Sequence, residues 1–192
     1  MTVDSPRVRD YTGTDRKLKV SVETSPVYEL LLSMFVWGNK NQPEEYECGS
    51  TFFEQLETDT PDSAATELDA MVDCGEIWLS LIGLAQANGV ARSVPEFLTH
   101  IGNMDPVALR RVLINGACTR TGMNDDEAEA AASGDQAAVA SVLADEYAGK
   151  GFGDLLESDP DETQRRLIDI LSAVHTVLES SISESLPPLR RD

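Results

Sequence analysis

The side chains best able to bind a metal or move a proton are two histidines and three cysteines, and their spacing builds a site for neither task. Neither His100 nor His175 stands at helical spacing from Cys, Asp or Glu in a ligand pattern such as HExxH. His175 follows Leu171 by four residues on an apolar stripe, which predicts a core-flanking, hydrogen-bonded imidazole rather than a general base. Cys48, Cys74 and Cys118 are odd in number and far apart, so they give no CxxC motif and no disulfide framework. They read as reduced thiols that behave as small buried hydrophobes. A GxSxG elbow, a GxxxxGK[ST] loop and a GxGxxG turn are all missing from the sequence. Gly149-Lys150-Gly151-Phe152-Gly153 is glycine-rich, but no strand precedes it and it reads as a loop. The sequence therefore predicts no catalytic residue, no metal ligand and no cofactor.

Binding by packing is the chemistry that remains. Tyr28, Phe35, Trp37 and Trp78 fall at helical positions where aromatics either fill a core or line a pocket between helices. Arg110-Arg111, with Arg120, is the densest basic feature; it could meet an anionic effector or form a solvated face paired with local acids. Tyr28, Trp37, Trp78 and Arg110 are the candidate ligand-binding residues, for a small apolar ligand.

A formal net charge of −19 repels phosphate backbones, which argues against direct nucleic-acid binding by this segment. The acids are scattered over helix termini and loops rather than arrayed, so solubility is the simpler account of them. No run of about 18 apolar residues occurs, and Met1 to Arg16 is polar where a secretory signal needs an apolar stretch. The expectation is a cytoplasmic protein without a membrane segment.

The elements that must position these residues announce themselves by their caps. Ser25-Pro26, Thr60-Pro61, Asp105-Pro106 and Asp159-Pro160 each place a capping oxygen before a residue preset for the first helical turn. Ser93 with Glu96, and Asp159 with Glu162, have the spacing of capping boxes, while Asn124 and Asp135 can cap helices in the Ala-rich region from Gly116 to Gly153. Glycines 38, 75 and 89 read as helix stops. Glu76 to Asn88 is apolar around most of its circumference, which predicts the central, most buried helix. Gly83 in its middle predicts close approach of a neighbouring helix or ligand. Further helices are expected over Val94 to Ile101, Pro106 to Asn115 and, as one long element, Pro160 to Leu186. Leu18, Val20 and Val22 alternate with polar neighbours as in a half-buried strand. The expected fold is all-α: a mobile tail over residues 1–15, then a single multi-helix, bundle-like domain over 16–192 with one N-terminal β-strand.

The order of these segments is similar to that of one known family. Val20-Ser21-Val22-Glu23, then Ser25-Pro26-Val27-Tyr28-Glu29-Leu30-Leu31-Leu32-Ser33, resembles the opening of ArsR-type winged-helix transcriptional regulators with an extended helical N-terminal domain. Trp78-Leu79-Ser80-Leu81-Ile82-Gly83-Leu84, Ser93-Val94-Pro95-Glu96-Phe97-Leu98 and the proline-started helix after Asp105 continue the likeness. The resemblance implies a regulatory domain that senses a ligand or dimerises, although the DNA-reading winged helix and the CxC thiolate pair of metal-sensing members are not in this sequence. The unpaired strand at 17–23 is then expected to pair within a homodimer or with a missing C-terminal segment. A stand-alone acidic protein-interaction module and a small helical enzyme with an unrecognised site are the alternatives.

Overall fold

The computed structural model describes residues 25–38, 54, 56–71, 75–145 and 150–185. Five helix starts are held as their capping residues require. Ser25, Ser93, Asp105, Asn124 and Asp135 accept from the backbone N–H groups of Tyr28, Glu96, Ala108, Glu127 and Ala138. These caps open α1 (Pro26–Trp37), α4 (Val94–Asn103), α5 (Pro106–Thr121), α6 (Asp125–Ala132) and α7 (Gln136–Leu143). The other helices are α2 (Asp62–Ala70), α3 (Gly75–Ala87), α8 (Lys150–Glu157) and α9 (Pro160–Ser185). Among the described residues there is no strand. The tail at 1–15 and the strand expected over 17–23 lie outside them.

Several expectations are corrected. Thr60 does not cap α2: Pro61 occupies that position without a side-chain bond, and the Thr60 hydroxyl is buried with no partner. The reciprocal capping box is at Asn124 and Glu127. Glu162 instead turns its carboxylate to Arg165, one turn on along the same helix. Gly75 begins α3 rather than ending α2, and Lys150 to Gly153 of the glycine-rich motif belong to α8 instead of forming a loop, while Gly149 lies outside the described residues. The helix expected to stop at Asn115 continues to Thr121, where Gly122 closes it at φ +71°. Gly116 sits inside this helix because a neighbour needs the room: a Cβ there would lie 3.1 Å from the Glu76 carboxylate.

The central element is α5, not α3. It packs against α3, α6, α7 and α9 and buries Leu109, Arg110, Leu113, Ile114, Ala117 and Cys118. The long α9 lies across the other side, against α1, α2, α4, α5 and α8, and contributes Leu167, Ile170, Leu171, Val174 and Val177 to the core. Polar side chains fasten the joints. The Ser25 hydroxyl, besides capping α1, donates to the Ala91 carbonyl between α3 and α4. Trp37 donates from Nε1 to Asp69 of α2 at 2.9 Å, and Gln164 of α9 donates to the last carbonyls of α4 at Ile101 and Met104.

Gly83 shows no close neighbour: a Cβ placed there meets nothing within 4 Å. The expected close approach of another helix is therefore not present, and the glycine costs α3 stability without a packing return. Gly83→Ala is predicted to raise stability by about 0.5–1 kcal/mol in urea unfolding; a loss would show that the site is occupied. Ser25→Ala, which removes both a cap and a buried tie, is predicted to lower it by roughly 1–2 kcal/mol.

Candidate functional site

On α3, Ile77, Trp78, Leu81, Leu84 and Ala85 are buried, and they occupy one side of the helix. The opposite side carries Leu79, which is 53% exposed, with Gly83 and Gln86 also exposed. An apolar helix would ordinarily be covered all round; here one side is left open. The same holds for α1, whose Leu32 is 47% exposed beside the half-buried Tyr28 and Phe35. Leu32 and Leu79 are the exposed large apolar side chains among the described residues.

Local geometry places their two helices side by side. The Phe35 ring stands 3.1 Å from where a Cβ on Gly75 would lie, so the end of α1 meets the start of α3. Because the two helices pack against each other, they run antiparallel. Glu29 is the sole charged residue of α1 and Glu76 that of α3, so the outward face is apolar and nearly uncharged.

Beyond this ridge, between α3 and α5, runs an open groove of about 530 Å³ lined by Ser80, Gly83, Leu84, Ala87, Arg111, Val112 and Asn115. Its alignment is set by Arg120 at the far end of α5. That guanidinium bonds Glu76 of α3 at 2.5 Å and Asp145, whose side chain is 5% exposed, in the turn after α7. The hydrogen bonds that Arg120 donates to Asp145 and then to Glu76 hold its pKa above the ordinary value. Arg111 pairs with Asp125 at 3.2 Å, leaving the groove one partly exposed cation.

The four residues expected to bind ligand are placed as follows. Trp37 and Trp78 are both 2% exposed and belong to the core, and Tyr28 packs against it at the rim of the apolar face. Arg110 is separate from them and fully buried. It donates to the carbonyls of Leu156 and of Ser158, the latter at 2.8 Å, so it caps the end of α8 instead of facing solvent or an effector. Burial lowers its pKa, and the charge of Asp159 offsets part of that. Its Nε has no partner. The adjacent arginines thus do different work, since successive helical residues point about 100° apart. His175 lies 3.4 Å from Glu179 one turn along α9, in the core-flanking position expected of it.

Two further open grooves, of about 680 Å³ between α7 and the α8–α9 junction and about 310 Å³ between α2 and α9, are lined by other residues. Among the described residues no three His, Cys, Asp or Glu side chains gather as a metal ion requires, and no helix is long and apolar enough to cross a membrane. Cys118 is buried, and desolvation raises its thiol pKa. The chain matches no family model, no curated protein and no solved structure.

Leu32, Leu79 and the Gly83 groove did not stand out in the sequence. For Leu79 and Gly83 the signal was present as the all-round apolarity of α3, but periodicity alone does not tell which side a fold leaves bare.

Two outcomes are predicted. Arg110→Ala, which strands two buried carbonyls and a cavity, should cost about 3 kcal/mol in denaturant unfolding, whereas Arg111→Ala should stay within about 0.5 kcal/mol. Cys118 should resist thiol-specific alkylation in the native state and react on unfolding, as peptide mass spectrometry would read; prompt native labelling contradicts its placement.

Proposed function

We propose that this chain is a regulatory helical domain of a transcription-regulator-like protein, and that it acts by packing rather than by covalent chemistry. The observation that carries this reading is the charge-poor α1–α3 face, where Leu32 and Leu79 stand in water beside half-buried Tyr28, Phe35 and Ile82. Leaving two leucines half exposed forgoes on the order of 1 kcal/mol each. A contiguous apolar face rimmed by polar residues marks a place where something docks. The order of helix signals along the chain, similar to that of ArsR-type regulators, supplies the regulatory context. Occupation of the face would shift the balance between arrangements only so far as the occupant prefers one of them.

The test combines light scattering after size exclusion with thermal unfolding in the presence of a panel of apolar small molecules. Self-association or a ligand-dependent rise in Tm is expected, and Leu79→Glu should abolish it with little change in the Tm of the free chain, because Leu79 is already half exposed. A strictly monomeric chain whose Tm no compound moves, or effects indifferent to Leu79→Glu, would overturn the reading.

A further inference from the structure

The groove of about 680 Å³ between α7 and the α8–α9 junction shares no lining residue with α1 or α3. What it binds is therefore a question separate from the packing reading. We infer that this groove takes a small organic cation, an ammonium or guanidinium group carried on an apolar body.

The apolar half of the site is preformed. Val139 and Leu143 of α7, Leu156 of α8 and Pro160 at the start of α9 line the groove. Val139 is 6% and Leu156 1% exposed, so the core behind them fixes the floor. Helix α7 is braced by α5, α6 and α8. The volume falls within the range of about 300–1,000 Å³ that small-ligand sites occupy.

Charge selects the head group. Glu157 and Asp159, both exposed, are the charged residues of the lining, and among the described residues no lysine or arginine joins them. The other two grooves differ: one carries Arg111 and the other Arg165 with Arg166. The two acids are not equivalent. Asp159 accepts from the Asp161 N–H at 2.9 Å and lies in the field of the buried Arg110. Glu157 ends α8, whose last turn holds no basic residue, and a carboxylate there is repelled by the partial negative charge of a helix C-terminus. Arg110 answers that charge from the interior, through the carbonyls of Leu156 and Ser158. The solvent side of the same helix end is left for a second cation, and a chain of net charge −19 draws cations to its surface.

A metal ion does not meet these conditions. Among the described residues no three ligating side chains gather, whereas a cation with an apolar body gains from the floor as well as from Glu157. Each part alone is weak: an exposed ion pair contributes little, and an open groove covers an apolar body only in part.

An amide NMR titration of the full chain with phenethylammonium chloride tests this, with phenylethanol as the neutral counterpart and spermidine as a cation without an aromatic body. Shifts should cluster at Gly134, Val139, Leu143 and Glu157, and both comparison compounds should bind more weakly. Glu157→Gln should weaken the ammonium by about threefold to fivefold and leave phenylethanol unchanged, a difference that about 0.5 M salt should erase. Ala140→Phe, at an exposed position of the lining, should abolish binding of both by filling the groove, with circular dichroism unchanged. In the free chain Glu157→Gln should raise Tm, because it removes a carboxylate from a helix C-terminus. Shifts scattered over the acidic surface, no saturable shift up to the solubility of the probe, equal binding of the ammonium and phenylethanol, or binding indifferent to Ala140→Phe overturns the inference. A lower Tm for Glu157→Gln also overturns it, by showing that this carboxylate serves the fold. None of these readouts involves α1 or α3, so failure here leaves the packing reading standing.

Discussion

The arrangement depends on a positive charge with no access to water. Arg110 projects from the buried side of α5 and binds the carbonyls of Leu156 and Ser158, where α8 ends and the chain turns into α9. Helix C-termini present unpaired carbonyls and a partial negative charge, so a guanidinium is a fitting cap. Thr163 adds a second bond, from its hydroxyl to the Leu155 carbonyl. An arginine without these acceptors could not be buried at tolerable cost, and the acceptors without it would be stranded. The α8–α9 corner and the middle of α5 are thereby fixed to each other, and with them the line of the long α9 against which α1, α2 and α4 pack.

A second guanidinium sets the other side of α5. Arg120 reaches Glu76 at the start of α3 and Asp145 after α7, and Gly116 leaves the space for Glu76 to approach. Held at that end, α3 runs antiparallel to α5 and turns its buried face inward at Trp78 and Leu81. The bare side of α3 follows from this: with α1 on one flank and α5 on the other, no third element of the described chain lies over Leu79 and Gly83. The exposed face is a product of well-tied neighbours, not of loose packing.

Much of the helical plan could be read directly. Ser25, Ser93, Asp105, Asn124 and Asp135 are short polar side chains ahead of apolar periods, and the physics of capping is local enough to act as the sequence suggests. The long α9 was equally plain from its stripe of Leu167, Leu171, Val174 and Leu178. What misled were residues whose role depends on a distant partner. Gly116 looks like a stop until Glu76 is beside it. The Gly151 and Gly153 motif looks like a loop until Phe152, Leu155 and Leu156 find a core to enter. Arg110 and Arg111 look like one basic patch until the helix sends one to the interior and the other outward. The tryptophans expected either to fill the core or to line a pocket are core residues, and the face that remains open carries Leu32 and Leu79 with half-buried Tyr28, Phe35 and Ile82, which no pattern of letters separates from the core stripe.

The Arg110 bonds span 46 and 48 residues of sequence. Within that span lie α6 and α7, joined through Gly134 at φ +93°. The pair packs its buried alanines and Val142 against α5, and its bend at Ser133–Gly134 faces outward. Lengthening an exposed loop costs little entropy, so an insertion at Ser133–Gly134 would strain the Arg110 clamp less than one inside α5 or α9.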